Sequence, residues 1–177
     1  MHLVLAGQTP TNLIANAVEV LLTHPDHLAA LRADPSLMPR AVEELTRWAG
    51  PQLLTTPRFA LEDVVFDDVT VRKGEPVSAA IMAANRDPRA FADPQTLDLT
   101  RSGPGHLGYA HGPRFCLGAA FARADTEIAL TALITRYPDL ALAGTPERSP
   151  DPGTWRLTTL PITRWRGGRK RRRRAGN

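Results

Sequence analysis

Tyr109-Ala110-His111-Gly112-Pro113-Arg114-Phe115-Cys116-Leu117-Gly118 holds the single cysteine of the chain, and it stands where an irregular segment meets a strong helical pattern. Upstream, residues 85–113 are rich in proline and glycine. So long a stretch without regular structure in a compact domain is usually functional. Downstream, Leu117 to Tyr137 is the longest helical pattern, closed by Pro138. Backbone N–H groups at a helix start beside Cys116 would point toward the sulfur, and the helix dipole favours a thiolate. Gly112 permits a tight loop, while Gly118, Ala119 and Ala120 leave room for something flat and wide against the helix. This suits a thiolate ligand beneath a planar cofactor. On the residues alone two other readings stay open: a small buried cysteine, and a zinc site built from His106, His111 and Cys116.

Working outward, residues 3–23 read as a helix, with Leu13, Ala17, Val20 and Leu21 at helical spacing. His24-Pro25-Asp26 breaks it, and Asp26 is placed to cap a short helix through Ala33. A third helix runs from Leu37 to Ala49, with Ala41, Val42, Leu45, Trp48 and Ala49 on one face, and Gly50-Pro51 stops it. The texture then changes. Leu53 to Leu61 and Val64 to Arg72 carry β-branched residues, with turn signals at Asp67-Asp68 and Lys73-Gly74, so short strands are expected. Val77 to Ala84 is apolar and ambiguous between strand and helix, and Trp155 to Thr163 reads as a small hairpin around Leu160-Pro161. The expected architecture is mainly α with small β-sheets.

With 177 residues, 42% hydrophobic and 23% charged, the chain matches one globular domain or a large piece of one, and collagen-like, coiled-coil and fully disordered classes are excluded. One cysteine forms no internal disulfide, and no apolar run approaches the ~20 residues that span a bilayer, so a soluble, cytoplasmic chain is expected. The net charge of +4 conceals a division. Eight Lys and Arg lie between Arg164 and Asn177, leaving 14 basic against 18 acidic residues, about −4, for 1–163. Residues 164–177 are therefore expected to be a basic, disordered tail. With no aromatic residue after Trp165 to stack on bases, nucleic acid is not the expected partner.

The decapeptide resembles the haem-binding signature of the cytochrome P-450 family, Phe-Gly-x-Gly-x-(His/Arg)-x-Cys-x-Gly. Gly112, Arg114, Cys116 and Gly118 match, while Tyr109 replaces the Phe and Ala110 the first Gly. Three further segments agree in the family's order. Glu44 and Arg47 match its Glu-x-x-Arg pair; Asn85-Arg86-Asp87-Pro88 through Arg101 is similar to the meander that follows; Arg58 stands where a cation meets a haem propionate. The resemblance implies haem b, with Cys116 as axial thiolate and metal ligand. It implies Arg58 and Arg114 on the propionates and Glu44, Arg47 and Arg101 as a scaffold network. Gly118 and Tyr109 would flank the cofactor, the Tyr109 hydroxyl lying close enough to the thiolate to alter its potential.

The first helix resembles the family's helix over the distal haem face, whose usual pattern is Ala-Gly-x-(Asp/Glu)-Thr. Counting back from Asn12 to Asn16 and His24-Pro25 puts Gln8 at the acid and Thr9 at the threonine; counting from Ala6-Gly7 shifts both by one, to Thr9 and Pro10. In either register the carboxylate is missing, so the side chain can orient water but does not carry a proton by ionising. The resemblance covers about residues 3–165 and only the C-terminal part of the family's fold. It implies a monooxygenase that inserts oxygen from O2 into an organic small molecule, with electrons from a ferredoxin-type donor. Expectations from other classes are a non-catalytic remnant of the family and a basic-tailed module that binds polyanions.

Overall fold

The computed structural model describes residues 2–103, 105–151 and 153–164. The basic tail expected at 164–177 lies, apart from Arg164, outside the described residues.

The chain opens with α1 (His2–Thr23), α2 (Pro25–Ala33), a 3-10 turn (Pro35–Leu37) and α3 (Met38–Ala49). Pro10 lies inside α1. It has no N–H to give the carbonyl one turn back, while the Thr11 hydroxyl bonds the Gly7 carbonyl at 2.8 Å, so the ladder is interrupted within the first three turns. Asp26 does not cap α2: His24 occupies the cap position and Pro25 starts the helix, leaving Asp26 in the first turn. A proline at the first helical position needs no donor partner, which moves the boundary one residue earlier than the acid suggested. The capping aspartate is Asp34, which accepts from the Ser36 N–H at 3.0 Å.

Strands follow as β1 (Arg58–Phe59), β2 (Val64–Phe66), β3 (Val69–Val71) and β4 (Pro76–Val77). β2 and β3 form a hairpin whose turn holds Asp67 at φ 50°, and β1 pairs antiparallel with β4. The segment that read ambiguously as strand or helix divides, with β4 ending at Val77 and α4 (Ile81–Ala84) beginning after it.

A second 3-10 turn (Gly112–Arg114) leads to α5 (Ala119–Arg136), then β5 (Ala141–Leu142), β6 (Glu147–Arg148), β7 (Leu157–Thr159) and β8 (Ile162–Thr163). At 18 residues α5 is shorter than the 22 of α1, against the expected order. Trp155 to Thr163 forms no hairpin of its own. β7 pairs with β6 and β8 with β5, because Pro161 has no N–H for a cross-turn ladder and its carbonyl instead accepts from Ala143 at 2.9 Å.

The core lies where α1, α3 and α5 pack on one another. Ala17 and Ala41 are fully buried, and such small residues let the helices approach closely enough for Leu21, Leu45 and Leu130 to interdigitate. Asn16 is also fully buried, its amide donating to the carbonyls of Ala49 at 3.1 Å and Trp155 at 2.7 Å. One side chain thus pins α1 to the end of α3 and to the C-terminal strands. Among the described residues no helix is long and apolar enough to cross a membrane.

Candidate functional site

The site begins with a buried ionic hub on α3. Glu44 and Arg47, three residues apart, share a helix face. They meet in a two-pronged pair at 2.7 Å for both Nε–Oε2 and Nη2–Oε1, with side chains 3% and 2% exposed. Arg101 reaches the same carboxylate through Nε at 3.2 Å, and the Asp98 N–H donates to it at 3.0 Å. The remaining guanidinium donors grip main-chain carbonyls: Arg47 those of Asn85, Pro94 and Thr96, Arg101 those of Ala92, Asp93 and Thr96. The Phe91 ring lies 5.3 Å from the Arg47 guanidinium. The expected Glu–Arg–Arg network is thus present, and it gives shape to a meander that has no strands or helices of its own.

Asn85 carries this order into the cysteine loop. Its carbonyl holds Arg47, and its buried Oδ1 accepts from the Leu107 N–H at 2.7 Å. One residue on, a Cβ at Gly108 would stand 2.7 Å from Thr46 Cγ2, so only glycine lets the loop come this near to α3. Gly112 has φ +62°. Ala110 also has φ 62°, in the left-handed region, at the position the resembling signature fills with glycine. The Cys116 N–H donates to the Tyr109 carbonyl at 2.8 Å, which closes the loop and turns the cysteine outward.

Cys116 is exposed, not packed into hydrocarbon. It lines a mostly apolar cavity of about 640 Å3, with Thr9 and Leu13 of α1, Ile81 of α4, Tyr109 and Phe121 around it. That volume is typical of ligand and cofactor pockets, about 300–1,000 Å3. Phe115, Leu117 and Phe121 are exposed beside the sulfur. A thiol on the floor of an apolar space, rimmed by open hydrocarbon, is the donor set and shape that an iron porphyrin fits.

Some expectations need correcting. The helix after the cysteine begins at Ala119, with Gly118 as cap, two residues later than the pattern from Leu117 suggested, so Cys116 stands further from its first turn. Among the described residues no N–H donates to the sulfur; the Ala119 N–H bonds the Cys116 carbonyl instead, at 3.2 Å. Gly118 keeps an ordinary φ of −87°, and a Cβ there would meet the sulfur at 3.9 Å, so its role is space rather than conformation. Thr9 and Pro10 reach the cavity wall, whereas Gln8 is exposed and outside it. Arg58 on β1 and Arg114 in the second 3-10 turn are exposed, line no part of the cavity, and have no acid partner among the described residues. The His106, His111 and Cys116 cluster does not assemble: among the described residues no three metal-binding side chains gather.

The Tyr109 ring is buried with Ala119 and Ala122, and its hydroxyl faces Thr46 without completing a hydrogen bond. Burial pushes this phenol above its ordinary pKa, so it stays neutral.

Beside the loop lies a second charged group that the sequence did not reveal. Arg123 on α5 donates to Glu43 on α3 from Nε at 2.5 Å and from Nη2 at 3.0 Å. His106 Nε2 lies 3.3 Å from the same carboxylate, off the line of a full hydrogen bond. Burial would raise the Glu43 pKa, but His106 and Arg123 outweigh it and hold the carboxyl at about 2. Glu43 and Arg123 are 80 residues apart and no short motif links them.

A family model described as Cytochrome P450 matches residues 9–163. The cytochrome P450 monooxygenase PikC of Streptomyces venezuelae is 45% identical over 98% of this chain and 42% of its own length. Among solved structures, the cytochrome P450 PksS of the Bacillus subtilis bacillaene polyketide synthase superposes with a TM-score of 0.87 at 34% identity, over 91% of this chain and 42% of that one. P450BioI, solved with an acyl carrier protein bearing hexadec-9Z-enoic acid, gives a TM-score of 0.84 at 43% identity, over 88% and 41%. The chain thus spans about two fifths of the length of the relatives it matches.

Proposed function

The chain belongs to the cytochrome P-450 family, whose members bind haem b through a cysteine thiolate, and from that premise we propose that residues 1–163 are the haem-binding, C-terminal portion of a haem-thiolate monooxygenase. The observation that carries this reading is the exposed Cys116 on the floor of the apolar cavity. Cys116 ligates the iron, and the loop closed by the Tyr109 carbonyl holds its direction. Arg58 and Arg114, exposed and without an acid partner among the described residues, serve the propionates, for which a guanidinium fork is well shaped. Bound there, haem supplies the redox chemistry that inserts one oxygen atom of O2 into a small organic substrate, with electrons from a ferredoxin-type donor.

Thr9, on the cavity wall, would supply a hydroxyl that orients water where oxygen binds, and Gln8 would assist from outside the cavity lining. Neither ionises, so protons arrive through ordered water rather than through a side-chain carboxylate. The cavity's apolar walls favour a hydrophobic substrate. Residues 164–177 are appended to this unit as a basic tail, and the protein works in the cytoplasm without a membrane or nucleic-acid partner.

The test is haem reconstitution followed by a reduced carbon-monoxide difference spectrum of the wild type and Cys116→Ser. A thiolate-type Soret band that disappears in Cys116→Ser is expected. The same band in both proteins, or no such band in the haem-loaded wild type, overturns the reading.

A further inference from the structure

Arg123 stands between two parts of the molecule. On one side its fork is engaged by the Glu43 carboxylate. On the other its guanidinium carbon lies 4.4 Å from the Tyr109 ring centroid and 6.0 Å from that of Phe115. These two rings belong to the cysteine loop. Phe115 immediately precedes Cys116, and the Tyr109 carbonyl receives the Cys116 N–H. The cation therefore rests on the groups that orient the sulfur. Its pKa is raised, first by the Glu43 hydrogen bond, so Arg123 keeps its cation.

Glu43 is itself braced. The Gly108 N–H donates to His106 Nδ1 at 3.0 Å, which leaves the proton of the neutral ring on Nε2, the nitrogen facing Glu43. The His106 side chain is 6% exposed, so the carboxylate has a buried imidazole on one side and the Arg123 fork on the other. Glu44, its neighbour on α3, turns instead into the Arg47 hub.

We propose that Glu43 and Arg123 form a positioning pair for the Cys116 thiolate: Arg123 places a cation against the cysteine loop, and Glu43 sets how much of that charge the sulfur and its metal experience. The inference rests on Cys116 being the haem ligand. Reduction adds an electron to the metal centre, so uncompensated positive charge nearby favours the reduced form and uncompensated negative charge opposes it.

The reduction potential of the haem-loaded protein tests the pair, with thermal melting and the carbon-monoxide spectrum recorded for every variant. Glu43→Gln shifts the potential upward, because Arg123 loses its counter-charge. Arg123→Gln shifts it downward. The double variant returns toward the wild-type value, and Arg123→Lys, which keeps the charge without the fork, stays nearer to wild type than Arg123→Gln. A pair that serves stability alone would lower the melting temperature without producing shifts of opposite sign. Single variants that shift together, or not at all, while the thiolate band persists overturn the proposal. Absence of that band in the wild type refutes instead the assignment of Cys116. Should Glu43→Gln fail to fold, the contrast between Arg123→Gln and Arg123→Lys decides: equal potentials overturn the pair and unequal ones support it.

Discussion

The ionic hub on α3 and the cysteine loop lie next to each other and are built on opposite principles. In the hub, Glu44 and Arg47 are almost wholly buried, and their charge is compensated by one another, by Arg101 and by main-chain groups. In the loop, Cys116 and its neighbours Phe115 and Leu117 face outward, Ala110 adopts a left-handed conformation, and the buried Tyr109 hydroxyl lacks a hydrogen bond. The hub satisfies itself. The loop keeps donors and apolar surface for something else. A site of this kind needs a rigid wall behind a face that stays available, and the two regions divide that work between them.

The strongest challenge to this contrast is Glu44→Gln, which leaves two arginines without their shared counter-charge in a buried position. A loss of about 3–5 kcal/mol is expected in urea unfolding monitored by circular dichroism. A loss below about 1 kcal/mol would mean that the hub is not the wall it resembles. The loop should respond in the other direction. Ala110→Gly relieves a left-handed alanine, worth about 1–2 kcal/mol, and gives part of it back in chain entropy, so a gain of up to about 1 kcal/mol is expected in the same assay. Tyr109→Phe removes a buried hydroxyl that lacks a partner and should be neutral or stabilising by under about 1 kcal/mol. Marked destabilisation there would show that the hydroxyl has a partner after all.

The smallest effect concerns acid. Glu43 has its folded pKa lowered from 4.5 to about 2, so its contribution is complete above about pH 4.5 and is lost as pH falls toward 2. Because its side chain is 41% exposed, solvent weakens the pair, and a modest decline in melting temperature across that window is expected. Glu43→Gln should abolish that component of the pH dependence.

Much of this was legible in the residue order. A Glu and an Arg three apart define a helix face whatever follows, and an arginine at the end of the meander completes them, so Glu44, Arg47 and Arg101 could be grouped beforehand. The cysteine loop was legible because its glycines and prolines sit at fixed offsets. The Arg58 and Arg114 assignments rest on resemblance, since the cavity wall does not include them. The grouping of Glu43, His106 and Arg123 escaped notice because nothing local links α3, the loop and α5; only packing brings them together. Strand pairing at the C-terminal end failed for the same reason. Adjacent β7 and β8 invite a hairpin, yet each pairs with a strand from further back, and that choice is made in three dimensions.

Arg47 and Arg101 hold the meander by its oxygen atoms rather than by its side chains. Every residue type carries the same carbonyl. Positions 92 and 96 can therefore exchange their side chains with little consequence for the path of the segment, whereas Asp93, at φ 45°, is confined to residues that tolerate the left-handed region. A stretch that looks unconstrained by pattern is in this way governed from a distance by two cations, and its tolerance to substitution should far exceed that of the helix that commands it.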